Sequence, residues 1–425
     1  MGMDSWPSPP LPALPAPTSP EPLKLFDSAS QQLRVAGPQL PDPDNPARMY
    51  VCGITPYDAA HLGHIATYLT FDLVQRYWRD AGHTVRYVQN VTDIDDPLLK
   101  RANRDNEDWA QLAHRETRRF AADMAALSVI PPESYIGVVE SMSDVVETVD
   151  KLLADGAAYR VPDGTNDIYF DLASAPDFGY ESGLDETQML ALFTERGGDP
   201  NRDGKRGPLD PLLWRGARVG EPSWPSPMGP GRPGWHIECS VIAVKHLGMQ
   251  IHVQGGGEDL LFPHHEMSAA HAEVAADAAP FARTYVHAGL VGWEGEKMSK
   301  SKGNLVFASR LISDGNDPSA VRLALFGRHY RGYREWESKD LALAEQRLNR
   351  WRAAAASPAV DSVAVAPLLA ELRSRLADDL DTPGALRAVD LWADAVMVAL
   401  IPGDTSEPQP SMVAASAIDA LLGVR

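Results

Sequence analysis

The stretch YVCGITPYDAAHLGHIATYL (Tyr50–Leu69) joins a short apolar run to a helical pattern. On its N-terminal side, MYVCGI (Met49–Ile54) is apolar and is followed by Thr-Pro, which predicts a buried strand. On its C-terminal side, apolar residues recur every three or four positions between Ala59 and Arg79, which predicts a helix. A second strand is predicted for the alternating, β-rich TVRYVQNV (Thr84–Val91). Strand, helix and strand in this order form a βαβ unit and favour a parallel sheet.

The pattern of the remaining chain predicts its division into units. A helical run extends from about Trp109 to Leu127, and the Gly- and Pro-rich segment after it predicts an insertion within the sheet domain. IHVQGGG (Ile251–Gly257) and YVHAGLVGW (Tyr285–Trp293) predict that the sheet resumes, and the patterns after Ser301 are mostly helical. The fold class is therefore α/β, with a parallel sheet split by an insertion and a C-terminal helical region. The predicted units are a proline-rich mobile tail (1–22), the first half of the sheet domain (23–130), a connective insertion (131–230), the second half of the sheet domain (231–305), a linker (306–345) and a C-terminal helical domain (346–425).

The composition restricts the class of protein. The chain has 425 residues, of which 44% are hydrophobic and 23% charged, so globular cores are expected. No apolar run approaches the roughly 18 residues of a membrane span, and the N-terminus lacks a signal-peptide pattern, so we expect no membrane association. Two cysteines, Cys52 and Cys239, favour a reducing cytoplasm, with one long-loop disulfide as the alternative. A net charge of −19 disfavours a large polyanionic partner.

Two short motifs have side chains suited to binding phosphates. His61-Leu62-Gly63-His64 stands where the first strand passes into its helix, and a helix N-terminus attracts anions with its unpaired N–H groups. Lys297-Met298-Ser299-Lys300-Ser301 places two lysines in a loop that could stabilise the charge on a leaving pyrophosphate. The alternatives are a helix start with incidental histidines and a solvated basic loop.

In this order on a split βαβ sheet, HLGH and KMSKS resemble the signature pair of the class I aminoacyl-tRNA synthetases. The resemblance implies a Rossmann-type catalytic domain that activates a carboxylate with ATP, accompanied by Mg²⁺, to give an acyl-adenylate and pyrophosphate. It also implies that the KMSKS loop closes over the adenylate and shields it from water. The residues to which it assigns catalytic roles are His61, His64, Lys297 and Lys300.

The two cysteines lie in stretches that predict a metal site. Cys52 lies on the first predicted strand, Cys239 lies in GWHIECS (Gly234–Ser240), and His264 belongs to FPHHE (Phe262–Glu266). Two thiolates and an imidazole form a plausible zinc set, with the open fourth position that is typical of a functional site. The alternative is two buried small residues. YVCG, GWHIECS and GGGEDLLFPHHE together resemble the cysteinyl-tRNA synthetases, in which one zinc ion per chain binds the substrate thiol.

Two departures distinguish the chain from those synthetases. After the histidine pair they read HHENE, whereas this chain reads HHEMS, so Ser268 stands where a glutamate completes their zinc shell. The 73 residues from Ala353 onward contain 4 basic and 10 acidic residues, which does not suit a tRNA-binding domain.

The departures and the remaining motifs resemble a related family, the ligases that join L-cysteine to the amine of glucosaminyl-inositol in mycothiol biosynthesis. The stretches that carry this resemblance are CGITPYDAAHLGH, QNVTDIDDP, ERGGDP, EPSWPSP, GPGRPGWHIEC, GGGEDLLFPHHE, KMSKS, DDLDTP and AIDALLG. It implies an AMP-forming ligase with L-cysteine, ATP and glucosaminyl-inositol as substrates, without tRNA, acting as a cytoplasmic monomer. Two alternatives stay open: a cysteinyl-tRNA synthetase, and a non-catalytic zinc- or nucleotide-binding module.

The same resemblance predicts the residues around the adenylate. They are Cys52, Gly53, Ile54, Thr55, Thr67, Asn90, Val91, Thr92, Trp235, Gly257, Glu258, Asp259, Val291 and Ser299. In QNVTDIDD (Gln89–Asp96), the aspartates Asp93, Asp95 and Asp96 are candidates for binding Mg²⁺, but helix capping is the favoured interpretation. ERGGDP (Glu195–Pro200) is associated with the ligases, although physical reasoning from the sequence assigns it no role.

Overall fold

The computed structural model of the protein describes residues 3–298, 303–357, 364–399 and 412–425. The strands are β1 (Lys24–Asp27), β2 (Gln32–Val35), β3 (Ala47–Val51), β4 (Val85–Val91), β5 (Ser134–Gly137), β6 (Ala158–Arg160), β7 (Ile168–Phe170), β8 (Leu212–Gly216), β9 (Gly231–Pro233), β10 (Val253–Gly257), β11 (Tyr285–Ala288), β12 (Val291–Trp293), β13 (Glu296–Lys297) and β14 (Arg334–Trp336). The α-helices are α1 (Leu62–Asp80), α2 (Asp96–Asp105), α3 (Trp109–Ala126), α4 (Met142–Ala154), α5 (Glu186–Glu195), α6 (Trp235–Leu247), α7 (Glu266–Ala276), α8 (Ala308–Ser313), α9 (Pro318–Phe326), α10 (Ser338–Ala355), α11 (Val365–Ala377), α12 (Thr382–Val398) and α13 (Met412–Leu422).

A five-stranded parallel sheet in the order β11-β10-β3-β4-β5 confirms the predicted fold class. The predicted βαβ unit is β3, α1 and β4. The order of the strands along the chain reverses between β3 and β10, as in doubly wound nucleotide-binding folds. In such sheets ligands bind outside the carboxyl ends of the strands at this reversal, so the fold places the site after Val51 and Gly257.

Helix α1 is buried on nearly all sides because the sheet packs on one face and α11 and α13 pack on another. Its Asp72 is fully buried with Arg76 (2.7 Å) and with Arg322 of α9, and Arg76 also donates to the carbonyl of Asp419 in α13 (2.8 Å). Burial opposes ionisation of Asp72, but the guanidinium groups of Arg322 and Arg76 hold its pKa below the usual value. The C-terminal helices are therefore attached to the sheet domain through buried charges. No helix of the described residues has the length and apolarity needed to cross a membrane.

The insertion has its own four-stranded antiparallel sheet, in the order β6-β7-β8-β9. Its predicted start at residue 131 differs from the structure, since β5 still belongs to the parallel sheet.

The predicted single strand Tyr285–Trp293 is also wrong, because β11 and β12 belong to different sheets. Gly289 stands between them, and a Cβ there would lie 2.5 Å from the carbonyl oxygen of Gly332. This close contact between two backbones is not encoded in the apolar pattern.

The predicted mobile tail contacts the rest of the protein at several points, and Trp6 is its one buried residue among residues 3–22. Trp6 is 4% exposed and belongs to the main core, where its ring packs edge-on against Phe120 and Tyr135. Its indole N–H donates to the carbonyl of Val129 (2.8 Å). Residues 3–22 form no helix or strand, and their proline-rich composition does not reveal this aromatic anchor.

We predict that Trp6→Ala lowers the free energy of unfolding by roughly 3–5 kcal/mol, because a large buried side chain and its hydrogen bond are both lost. Leu40→Ala, at a residue that is 72% exposed, is the control and should change stability by less than about 0.5 kcal/mol. Urea denaturation followed by circular dichroism measures both variants. Equal midpoints for the two variants would show that Trp6 is not anchored.

Candidate active site

A cavity of about 690 Å³ opens at the carboxyl ends of β3 and β10, where the strand order reverses. It brings together most of the residues predicted to surround a nucleotide. Those that line it are Cys52, Gly53, Ile54, Thr55, His61, His64, Thr67, Trp235, Gly257, Asp259 and Val291.

The HLGH motif forms the N-terminus of α1 at the edge of this cavity. His61 is the N-cap, and its Nδ1 accepts a hydrogen bond from the N–H of Gly63 (3.0 Å). The rings of His61 and His64 are stacked, with centroids 3.9 Å apart. A Cβ on Gly63 would lie 2.8 Å from the His61 ring, so glycine permits this arrangement. The motif therefore presents two imidazoles and a helix N-terminus to one ligand, which suits phosphate oxygens.

Beside it, the backbone after β3 lies unusually close to β4. The N–H of Gly53 donates to Oδ1 of Asn90 (2.7 Å), and a Cβ on Gly53 would lie 1.6 Å from the Asn90 carbonyl oxygen. The amide of Asn90 is fixed in turn by the hydroxyl of Tyr50, which donates to it (3.1 Å), and by donation to Thr92 (3.1 Å). Only glycine allows this approach, which sets the direction of the chain at Cys52.

Cys52, Cys239 and His264 converge from three separate elements. Their candidate ligand atoms all lie within 4.8 Å of one another, and all three residues are buried. Both cysteines are free thiols, so the alternative of a disulfide between them is excluded. Burial and the neighbouring Cys239 sulfur raise the pKa of the Cys52 thiol. Burial also disfavours a charge on Cys239, but hydrogen bonds from Cys52, His264 and Tyr50 hold its pKa well below the usual value. This donor set fits a thiophilic ion such as zinc.

The residues around His264 fix its ring. The indole of Trp235 stacks on it with centroids 4.2 Å apart, and Nδ1 of His236 lies 3.1 Å from Nδ1 of His264. Ser268 is fully buried, but its hydroxyl donates to the carbonyl of His236 (3.0 Å). Ser268 therefore supports the backbone that carries Trp235 and His236, and it does not replace a metal-binding glutamate.

Several predicted site residues lie elsewhere. Asn90, Val91 and Thr92 are buried behind the cavity wall, where Asn90 holds Gly53. Glu258 is exposed and does not line the cavity, unlike its neighbours Gly257 and Asp259. The backbone of Lys297 lies in β13, next to Met298, which does line the cavity, whereas Ser299 and Lys300 fall outside the described residues.

The aspartates after β4 have structural partners. Asp95 is the N-cap of α2 and accepts from the N–H of Asp96 (2.7 Å), which confirms the capping interpretation for this residue. Asp93 accepts from the N–H of Val139 (3.0 Å). Burial raises the pKa of both Asp93 and Asp95 to about 6. Asp96 forms ion pairs with Arg215 and Arg232.

The insertion forms the other wall of the cavity, which reasoning from the sequence did not assign. Arg196 donates to the carbonyl oxygens of Asp259 (2.5 Å) and Phe262, and so holds the loop that leads to His264. The residues of the insertion that line the cavity are Asp167, Tyr169, Phe193, Arg196, Gly197, Gly198, Asp199, Arg202, Pro211, Leu212, Arg215 and Arg218. The signal for this wall was the ERGGDP stretch, whose role becomes visible only when the insertion is placed over the sheet.

The parallel sheet, the stacked histidines and the thiol–imidazole set define a synthetase-type active site. A family model described as the class I (C) tRNA synthetase catalytic domain matches residues 41–346. The solved structure of Mycobacterium tuberculosis methionyl-tRNA synthetase in complex with methionyl-adenylate has a TM-score of 0.62 and covers 89% of this chain and 92% of its own, at 16% identity. That likeness supports the fold alone.

More similar relatives narrow the assignment. The L-cysteine:1D-myo-inositol 2-amino-2-deoxy-alpha-D-glucopyranoside ligase of Salinispora tropica is 62% identical over 95% of this chain and 98% of its own length. The ligase of the same name from Saccharomonospora viridis is 58% identical over 99% of this chain and 100% of its own. The chain therefore belongs to the class I (C) tRNA synthetase family and, within it, to these cysteine ligases. The predicted resemblance is confirmed.

We predict that Gly53→Ala reduces stability by about 1–3 kcal/mol, because its Cβ forces β3 away from β4. It should also lower cysteine-dependent ATP–pyrophosphate exchange at least tenfold, since Cys52 moves with Gly53. The matched control is Gly332→Ala, where the nearest atom to the new Cβ is 3.7 Å away. Thermal unfolding and exchange assays measure both variants. Equal stability and equal exchange activity of the two variants would show that the close contact between Gly53 and Asn90 is not important.

Proposed function

We propose that the chain is an AMP-forming ligase, which activates L-cysteine with ATP and transfers it to the amine of glucosaminyl-inositol. The relatives from Salinispora tropica and Saccharomonospora viridis carry the name of this ligase. The geometric observation that supports it is the convergence of Cys52, Cys239 and His264 beside a nucleotide cradle. Cysteine and serine differ only in one atom, and an apolar pocket discriminates poorly between such isosteres. An enzyme that activates cysteine therefore requires a group that binds the thiol next to its ATP site.

For the activation step, the proposal assigns the phosphates to the N-terminus of α1. The carboxylate of cysteine attacks the α-phosphorus of ATP, and pyrophosphate leaves. His61 and His64 donate hydrogen bonds to the phosphate oxygens, while Lys297 and Lys300 neutralise the charge that develops on the leaving group. Burial of the adenylate against Trp235 excludes water, so the activated carboxyl group is protected from hydrolysis until the amine attacks it.

The thiol–imidazole set has the chemistry of a zinc site. A zinc ion bound by Cys52, Cys239 and His264 would supply a soft Lewis acid with a fourth position for the thiolate of the substrate. His236 and Trp235 orient His264 for this role, as outer partners of metal-binding histidines commonly do. We propose one zinc ion at this site, with Mg²⁺ entering only together with ATP.

The acceptor is proposed to be the amino sugar and not tRNA. From Ala353 to the C-terminus the chain has 4 basic and 10 acidic residues, so it offers no long basic surface for phosphates. In the second step the sugar nitrogen attacks the carbonyl carbon of cysteinyl-adenylate, AMP leaves, and an amide forms. We further propose that the enzyme acts as a monomer in the cytoplasm.

We predict that Cys239→Ala loses one zinc ion per chain together with cysteine-dependent ATP–pyrophosphate exchange, because two of three ligands bind the ion poorly. Zinc content is measured by inductively coupled plasma mass spectrometry. Ser268→Ala is the matched control and should keep the ion, since the hydroxyl of Ser268 donates to the carbonyl of His236 and is not among the three candidate ligands. Full exchange activity in Cys239→Ala would disprove the zinc assignment.

We also predict that acceptor-dependent AMP release requires a free amine and depends only weakly on salt, because few phosphates are contacted. Glucosaminyl-inositol should give the product mass expected for the amide, and its N-acetyl form should be inert because its nitrogen lone pair is delocalised. Cysteine-specific tRNA is the third arm of the experiment. Turnover on tRNA comparable to that on the amino sugar would favour a cysteinyl-tRNA synthetase instead.

A further inference from the structure

A second cluster of potential metal ligands lies behind the thiol–imidazole set. It consists of Glu181, His265 and His287, whose ligand atoms lie within 4.8 Å of one another. Glu181 belongs to a loop of the insertion, His265 follows His264 in the chain, and His287 is in β11. Glu181 and His265 are fully buried and His287 is 8% exposed. The activation and transfer steps of the proposed reaction use none of these three residues.

The carboxylate of Glu181 is the unexplained group of this cluster. Neither of its oxygens has a hydrogen-bond partner among the residues that the structure describes. An unpaired buried carboxylate is costly, whereas nearly all buried polar groups in folded proteins are satisfied. Burial and the carboxylates of Glu266 and Asp27 raise the pKa of Glu181. The carboxyl groups of Glu266 and Asp27 are therefore close enough to disfavour a charge on Glu181, and a bound cation would reverse this effect.

The spacing of the three ligand atoms suits a small tetrahedral ion. Oε1 of Glu181 lies 3.8 Å from Nδ1 of His265 and 3.9 Å from Nε2 of His287. These gaps are too long for hydrogen bonds, but zinc bonds of about 2.1 Å in a tetrahedron place ligand atoms about 3.4 Å apart. Nδ1 of His265 and Nε2 of His287 lie 2.8 Å apart, at hydrogen-bond distance, so the ion would replace this hydrogen bond and separate the two atoms. The second oxygen of Glu181 can bind the same ion only as part of a bidentate carboxylate.

The outer contacts also resemble those of a metal site. Nδ1 of His287 lies 2.8 Å from the hydroxyl of Ser28, which leaves Nε2 facing the cluster. The carboxylate of Glu266 accepts from the N–H groups of Gly179 (2.8 Å) and Ser182 (2.6 Å) and so fixes the loop that carries Glu181.

We propose that Glu181, His265 and His287 bind a second, structural zinc ion, which joins the insertion to the edge of the parallel sheet. Two imidazoles and a carboxylate are ligands that first-row divalent metals accept. The cluster does not line the active-site cavity that the described residues form, so we assign the ion a structural role and not a catalytic one. Because His264 and His265 are adjacent, with ring centroids 5.7 Å apart, the second ion also fixes the backbone that presents His264.

The experiment counts zinc in the full-length protein after removal of any histidine tag. Wild type should hold about two zinc ions per chain, and Glu181→Gln and His287→Gln should each hold about one. Cys239→Ala should also retain about one, and Cys239→Ala combined with His287→Gln should retain none. The matched control is His271→Gln, which removes a fully buried imidazole outside both clusters and should leave two ions.

Cobalt substitution distinguishes the two positions spectroscopically. Only the position with Cys52 and Cys239 can give a thiolate-to-cobalt charge-transfer band, so Glu181→Gln should keep this band and Cys239→Ala should lose it. Circular dichroism verifies that each variant is folded, and His287→Gln replaces Glu181→Gln if the latter does not fold. If Glu181→Gln binds as much zinc as wild type, or if Cys239→Ala alone removes all zinc, the proposal is overturned. Neither outcome depends on which acceptor the enzyme uses.

Discussion

The active site depends on one close contact between two strands. Because Gly53 has no side chain, its N–H reaches the amide of Asn90 at 2.7 Å, and the chain leaves β3 in a direction that brings Cys52 to Cys239 and His264. Any side chain at this position would overlap the Asn90 carbonyl. The same turn leads into HLGH, so the two thiols and the stacked histidines to which we assign the phosphates share a single backbone constraint. The sheet fixes the distance between these two groups, so a ligand does not need to bring them together when it binds.

A second constraint holds the C-terminal helices against the catalytic sheet. Asp72 of α1 pairs with Arg76 and with Arg322 of α9, and all three side chains are fully buried. Buried charges contribute little net stability, but loss of one partner leaves the others uncompensated. The main effect of this network is therefore on the packing arrangement, since it fixes how α9 and α13 lie on α1. Helix α1, to whose N-terminus we assign the phosphates, is in this way held from the side opposite the sheet.

Periodicity and motif order were enough to predict the parallel sheet, helix α1 and the convergence of Cys52, Cys239 and His264. These features rest on local patterns or on side chains with few possible roles. The rest depends on contacts between distant parts of the chain. Trp6 stands in a segment without a helix or strand pattern. The split between β11 and β12 results from the contact between the backbones of Gly289 and Gly332. Asn90 was predicted to line the pocket, but it supports Gly53 instead. Glu181 stands alone in a loop, with no motif to connect it to histidines 84 and 106 residues further along the chain.

The insertion contributes more to the site than its Gly- and Pro-rich sequence, which has few motifs, would indicate. Arg196 holds the carbonyl groups of Asp259 and Phe262, and Glu266 holds the loop that carries Glu181, so bonds run in both directions between the insertion and the segment around His264. The two histidines in the middle of that segment face different clusters, His264 the thiols and His265 the carboxylate of Glu181. A displacement of the insertion would therefore move His264 relative to Cys52. This coupling explains how the chain brings Cys52, Cys239 and His264, the three candidate ligands, together from three separate elements. Ser268 is not among them, since its hydroxyl supports the backbone of His236.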